Sequence, residues 1–229
     1  MPAPRVVPLH LADVRPTVGG RAVVPIVAHV ITHRDGVFLF DTGIGTGNAE
    51  IDAAFSPTRY PLEVELAAYG IELPDVTALA NCHLHFDHSG HNGLFPGRPI
   101  FAQAREWALV HEPDYTVPSW IDRPELRYEL LDGETEVAPG IRLLPTPGHT
   151  PGHQSLVVAT DEGTVVVAGQ AVWTRAEWEG ATGGDASGEP TADDREAYAS
   201  SVEAIRRLEP IRVHFAHDRE VWNEPVARA

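Results

Sequence analysis

His83-Leu84-His85-Phe86-Asp87-His88-Ser89-Gly90-His91 is the stretch on which the reading of this chain turns. Three histidines and an aspartate fall between positions 83 and 88. Neutral imidazole is the commonest metal ligand, and a carboxylate beside it suits a borderline-soft divalent ion such as zinc. Side chains alternate in an extended segment, which sends His83 and His85 to one side. A turn after Phe86 swings Asp87 and His88 toward a second point nearby. One short loop thereby offers ligands for two adjacent ions.

The rest of the composition agrees with such a loop. The 229 residues suit one α/β domain spanning residues 1–229, and the 43% apolar content is enough for a core. A formal net charge of −16 argues against nucleic acid and anionic membrane as partners, since both need basic patches. Cys82 is the only cysteine, so an intramolecular disulfide and a thiolate zinc cluster are both excluded. Any metal must be held mainly by His, Asp or Glu, and the chain carries 12 histidines against one methionine. The opening MPAPRVVPLHLADV has no apolar run of signal-peptide type, and no stretch approaches a membrane span. The expected location is the cytoplasm, with a small-molecule substrate and a monomeric or homodimeric state.

Working outward along the chain, Arg5 to Val14 predicts an edge strand. Ala22 to Thr32 predicts a buried strand, with Pro25 implying an edge or a bulge. Arg34-Asp35-Gly36 is a hairpin turn into Val37–Phe40, which runs into an Asp41-Thr42-Gly43 tip facing a functional cleft. Ile44 to Tyr60 reads as irregular and as part of a substrate entrance. Pro61 to Tyr69 predicts a short helix with Leu62, Leu66 and Tyr69 on one face. Val76 to Cys82 is a strand delivering the histidine loop at its carboxyl end, where open α/β sheets place their sites. Pro99 to Ala102 predicts a strand and Gln103 to His111 a helix. His111 to Glu125, with Pro113, Pro118 and Pro124, reads as a surface excursion or lid.

Further on, Leu126 to Leu131 precedes a turn at Asp132-Gly133, and Glu136 to Leu144 is a strand pair around Pro139-Gly140. Thr146-Pro147-Gly148-His149-Thr150-Pro151-Gly152-His153 is a sharp loop whose two PGH units each end in histidine. Gln154–Thr160 and Gly163–Ala168 are strands, and Ala181 to Asp194 reads as a mobile Gly- and Asp-rich loop. Arg195 to Leu208 is an amphipathic helix with Tyr198, Val202, Ile205 and Leu208 on its apolar face. Ile211 to Ala216 is a strand that delivers His217-Asp218. The pattern predicts two sheets inside and helices outside.

The HxHxDH phrase at His83–His88, the TPGHTPGHQS block at Thr146–Ser155 and the Phe215-Ala216-His217-Asp218 ending resemble the metallo-β-lactamase superfamily, and within it the N-acyl-homoserine lactonase branch. The resemblance runs from the Asp41-Thr42-Gly43 loop to Asp218. It implies an αββα sandwich of two mixed β-sheets with helices on the outer faces. It implies that His83, His85 and His149 hold one zinc ion and that Asp87, His88 and His217 hold a second, with His153 supporting the ligands from behind. It also implies hydrolysis of a lactone or related ester by hydroxide generated at the metal, with Asp87 as the catalytic proton carrier. Phe86 and Trp173 are the candidate substrate-binding residues.

Two positions depart from the branch. Where its members carry an aspartate that bridges both metals, this chain has Gln170, a neutral amide and a weak or lost ligand. Where they carry a tyrosine, it has Trp173. The expectation is therefore one or two zinc ions, the second weakly held. Alternatives are a hydrolase of another ester, thioester or amide on the same fold, or a catalytically weakened binding homologue. His10, His29, His33, His91, His111 and His214 match no motif and read as ordinary surface or core histidines.

Overall fold

The computed structural model describes residues 3–15, 23–181 and 192–225. Strand Arg5–Val14 (β1) pairs antiparallel with Val24–His33 (β2), and β2 with Gly36–Phe40 (β3) across the Arg34-Asp35 turn. The next segment is more regular than its composition suggested. It holds a helix, Ala49–Phe55 (α1), capped by the Asn48 side chain on the N–H groups of Glu50 and Ile51, and a short strand, Thr58–Arg59 (β4). Helix Leu62–Ala67 (α2) buries Leu62 and Leu66 as the spacing predicts. Tyr69 is 51% exposed, because the helix ends before it and the backbone turns away from the shared face.

Strand Val76–Ala80 (β5) lies parallel to β3, and the histidine loop leaves its end to form a single helical turn, Phe86–Ser89 (α3). Pro99–Gln103 (β6) continues the parallel run. Only Ala104–Trp107 (α4) of the helix expected over Gln103–His111 is α-helical. The supposed excursion after it contains Pro118–Ile121 (α5) and is packed down, with Leu84, Ala102, Val110 and Ile121 buried together. Arg127–Leu131 (β7) closes this sheet, whose order is β4-β1-β2-β3-β5-β6-β7. Thus β2 is an interior strand rather than an edge. Pro25 is tolerated near its start, and the bulge is on the partner strand between His10 and Ala12.

The second sheet is made of Thr135–Ala138 (β8), Ile141–Pro145 (β9), Gln154–Thr160 (β10) and Gly163–Val167 (β11). After Arg175–Ala181 (α6) and Arg195–Arg206 (α7) it is completed by Arg212–His214 (β12) and Trp222–Asn223 (β13). Its order is β13-β12-β11-β10-β9-β8, and β11 with β12 is its parallel pair. The loop expected over Ala181–Asp194 falls mostly outside the described residues.

The layers follow from where the apolar side chains go. Phe38, Phe40 and Ile31 of the first sheet meet Leu143, Leu156, Val165 and Val167 of the second in the space between them. Leu62 and Leu66 of α2 cover the outer face of the first sheet. Trp178 of α6 with Tyr198, Val202 and Ile205 of α7 covers the outer face of the second. Each sheet is therefore apolar on both faces, and the four layers form the expected αββα sandwich. The strand ends β3, β5, β9 and β12 all deliver loops to one edge of the sandwich, where the histidines gather.

Candidate metal centre

The histidine loop is held by backbone partners from the Asp41-Thr42-Gly43 tip. The Thr42 N–H donates to the His88 carbonyl at 2.7 Å, and the Gly90 N–H to the Gly43 carbonyl at 2.8 Å. Position 90 must lack a side chain, since a Cβ there would sit 2.0 Å from the Gly45 nitrogen. Asp41 is 2% exposed and adopts a left-handed φ of +67°. One of its carboxylate oxygens accepts the Cys82 N–H at 2.8 Å, and the other lies 3.1 Å from Nδ1 of His88. Beneath the loop, the Asn81 side-chain amide donates to the His88 carbonyl, and Asn92 donates to Asn81. The backbone carbonyl of His88 and the amide side chains of Asn81 and Asn92 are thus paired within this turn.

The TPGHTPGH loop is gripped from two sides. A Cβ at Gly148 would lie 2.4 Å from the Cα of Tyr198, so α7 rests directly on the first PGH unit. A Cβ at Gly152 would lie 2.2 Å from the Glu106 nitrogen, so α4 rests on the second. His149 is turned toward the histidine loop. His153 is turned inward: its Nδ1 meets Thr146, and its Nε2 accepts the Gln170 N–H at 2.9 Å. His153 therefore braces the loop that carries Gln170.

Two sets of three donors converge. Nδ1 of His85 lies 2.9 Å from Nε2 of His83 and 3.3 Å from Nε2 of His149. Oδ2 of Asp87 lies 3.5 Å from Nε2 of His88 and 3.8 Å from Nε2 of His217. For a tetrahedral zinc with ligand bonds of about 2.0–2.1 Å, neighbouring donor atoms stand about 3.3 Å apart. Both sets approach that spacing. Behind the rings, His88 meets Asp41 through Nδ1, and His217 meets the Pro25 carbonyl through Nδ1 at 3.1 Å. With a proton on each rear nitrogen, Nε2 is the nitrogen that faces the centre: it is bare on the neutral His217 ring, and on His88 it is the atom that must give up its proton to an incoming ion. The residues fit a pair of divalent ions in donor type, direction and spacing. Cys82 lies behind them, its sulfur 3.1 and 3.3 Å from Nδ1 of His83 and of His88. Burial and the nearby carboxylates push its thiol well up in the metal-free protein.

The electrostatics separate the two sets. Burial holds His85 down to about 4 and His83 and His149 well below the ordinary imidazole value, so the first set is neutral at pH 7. Burial also holds His217 down to about 4. Against the same burial, the carboxylates of Asp87 and Asp41 lift His88 to about 9. Asp87 itself is burdened by burial but lowered by His88, His217 and His85, and so stays ionised.

A cavity of about 240 Å³ opens onto these donors. His85, Asp87, His149, Gln170 and His217 form its polar side, and Val14, Val24, Ile26, Phe55, Phe86 and Trp173 its apolar side. The Trp173 ring lies 4.7 Å from that of His217, and Phe86 packs on Phe55. Gln170 is 4% exposed, and its side chain helps to hold the charged form of His88.

A family model described as the metallo-beta-lactamase superfamily matches residues 21–217. The chain belongs to the metallo-beta-lactamase superfamily. It is 33% identical over 215 residues to the N-acyl homoserine lactonase AiiA of Bacillus thuringiensis subsp. kurstaki, covering 86% of this chain and 82% of that protein. It is 27% identical to the N-acyl homoserine lactonase AttM of Azorhizobium caulinodans, covering 87% of this chain and 84% of that one. Among solved structures it superposes with a TM-score of 0.76 and 26% identity on an N-acyl homoserine lactone hydrolase with N-hexanoyl-L-homoserine bound at its catalytic metal centre; 96% of this chain and 95% of that one are covered. The dizinc lactonase AidC, at 16% identity and a TM-score of 0.65, shares the fold.

Within this superfamily member the residues singled out by sequence all reach the centre. His83, His85 and His149 form one group, and Asp87, His88 and His217 the other. Phe86, Trp173 and Gln170 line the cavity beside them. Asp41 was legible only as a tip facing a cleft. Asn81, Asn92, Phe55 and Glu106 carried no motif. The signal for α1, and so for Phe55, was available in Asn48 followed by Glu50 and Asp52, a capping residue with acidic residues in the first turn.

Proposed function

We propose that this chain is a zinc-dependent hydrolase that opens the ring of an N-acyl homoserine lactone or a closely related ester. The observation that carries the reading is the meeting of two three-residue donor sets with an apolar cavity wall. His83, His85 and His149 would hold one ion and Asp87, His88 and His217 the other. When bound, a divalent ion lowers the pKa of water toward neutrality and polarises an ester carbonyl. The chain's own residues supply the rest. Asp87, ionised and part of the second set, takes a proton and passes it to the leaving alkoxide. Phe55, Phe86, Val24 and Ile26 cover the acyl chain and keep water from it. The relatives that share most of this chain's length are N-acyl homoserine lactonases, which supports that substrate class and a quorum-quenching role. The lone buried thiol Cys82 supports a cytoplasmic location.

A second reading is favoured by Gln170 and Trp173. Asp87 is the one carboxylate in the two donor sets, and Gln170 adds only a neutral oxygen beside them. The second ion is then held weakly, and the preferred bond is another ester, a thioester or an amide, or the pocket binds without turnover. Elemental analysis with hydrolysis assays on acyl-homoserine lactones, aryl esters and thioesters separates these readings. Lactone hydrolysis that disappears on chelation and returns with zinc supports the first. The Gln170→Asp variant is expected to raise zinc content toward two per chain. Equal zinc content in the two proteins would remove Gln170 from the centre.

A further inference from the structure

One buried carboxylate outside both donor sets touches every segment that carries the first of them. Glu106, in α4, is 1% exposed. Its Oε1 accepts the backbone N–H of Leu84 at 2.8 Å, and its Oε2 accepts the Thr150 hydroxyl at 2.7 Å. The Tyr115 hydroxyl also donates to Oε1, and the Tyr115 ring packs 4.7 Å from that of His85. Leu84 stands between His83 and His85, and Thr150 follows His149 directly. The close approach of α4 to Gly152 fixes where this carboxylate sits relative to the PGH loop.

An apolar side chain would fill this place at a lower desolvation cost. It would not join two loops at one point. The carboxylate does so with two oxygens, each committed to a different ligand-bearing loop, and it draws Tyr115 across the outer side of His85. We propose that Glu106 is a positioning residue for the first donor set: it fixes the distance between His85 and His149 by tying Leu84 and Thr150 to a common carboxylate. The inference rests on the reading that His83, His85 and His149 hold a divalent ion. It predicts a role in metal affinity separate from any role in fold stability.

The test is zinc affinity of the full chain, measured by competition with a chromophoric chelator, beside the melting temperature of the metal-free protein. Thr150→Val keeps the shape and removes one tie, Thr150→Ser keeps the hydroxyl, and Glu106→Leu removes all ties. Loss of a group that orients a metal ligand costs about 10- to 100-fold in affinity, so Thr150→Val is expected near the lower figure, Glu106→Leu near the upper, and Thr150→Ser within about twofold of the parent. Thr150→Val and Glu106→Leu proteins that melt earlier but bind zinc as tightly as the parent would overturn the proposal and leave Glu106 a packing residue. If Glu106→Leu does not fold, the contrast between Thr150→Val and Thr150→Ser decides, and equal affinity in those two overturns it. A parent that binds no zinc would sink the metal reading itself, a result distinct from a parent that binds and variants that do not differ.

Discussion

Asparagine at position 41 removes one charge and almost no volume, and its effect on the second donor set can be worked from the hydrogen bonds. Asp41 uses one oxygen for the Cys82 N–H at 2.8 Å and the other for His88 Nδ1 at 3.1 Å. An amide offers one acceptor oxygen and an NH₂ group that only donates. The Cys82 N–H cannot turn round, so the amide oxygen stays with it and the NH₂ faces His88. His88 must then accept through Nδ1 and carry its proton on Nε2, the atom that faces Asp87 at 3.5 Å. A protonated Nε2 is not a ligand. The lost interaction is a hydrogen bond to a charged group, about 1.5–3 kcal/mol, which corresponds to about 10- to 150-fold in a binding constant. Asparagine tolerates the left-handed φ of +67° as aspartate does, so backbone strain adds little. The assay is a stepwise zinc titration against a chelator, with the His88 ring followed by NMR against pH in the metal-free protein. His88, lifted to about 9 in the fold from an ordinary 6.5, stabilises the metal-free protein below pH 6.5 and loses that contribution as pH rises through 9. Asp41→Asn should flatten this slope and weaken the second zinc. A variant that binds both equivalents as the parent does, with the His88 titration unmoved, would refute the reasoning.

Two further perturbations probe the frame. Gly148→Ala places a methyl 2.4 Å from the Tyr198 Cα at a φ of +142°, so overpacking and backbone strain should together cost at least about 2 kcal/mol, or roughly 4–8 °C in melting temperature; an unchanged melting temperature would mean α7 does not rest on the loop. His29 and His214 are buried between the sheets with ring centroids 5.1 Å apart and no hydrogen-bond partners on either ring. Burial, then Arg212, holds His214 down to about 4, and burial, then His214, holds His29 well below its ordinary value. Their contribution is therefore full above pH 6.5 and is lost as pH falls toward 4, about 3 kcal/mol for His214 alone at about 1.36 kcal/mol per pKa unit. His214→Leu should lessen the acid sensitivity of the metal-free protein in denaturant titrations at pH 4.5 and 7.5, and parallel slopes in parent and variant would count against it.

The donor sets were readable because their information is local. His83, His85, Asp87 and His88 sit on one loop, and a PGH unit or a strand end marks His149 and His217. Strand runs were readable for the same reason: β-branched stretches such as Val24–His33 and Gly163–Val167 satisfy the strand pattern without reference to partners. Glu106 was not readable, because nothing in Arg105-Glu106-Trp107 shows that a carboxylate there will meet an amide 22 positions back and a hydroxyl 44 positions on. Pro25 was half legible: the strand is not an edge, but the pair carries a bulge. It pairs with Asp13 near the start of an interior strand, and the bulge next to it is in β1, between His10 and Ala12, which is a property of the pair. The ordinary reading of His29 and His214 held as to the core, yet their pairing across the two sheets is a tertiary fact.

The contact between His217 and the Pro25 carbonyl joins positions 192 residues apart, and Val27 and Ala216 hydrogen-bond beside it. The last of the six donors to leave the ribosome is therefore oriented by one of the first strands to be made. Its ring cannot be aimed until both sheets have formed and docked. The second donor set is in this sense a lock on chain closure: a partly folded chain carries the histidine loop complete but has nothing to finish it with. Uptake of the second ion should consequently lag behind formation of the strands in refolding, and reading its kinetics would time the moment the sandwich closes.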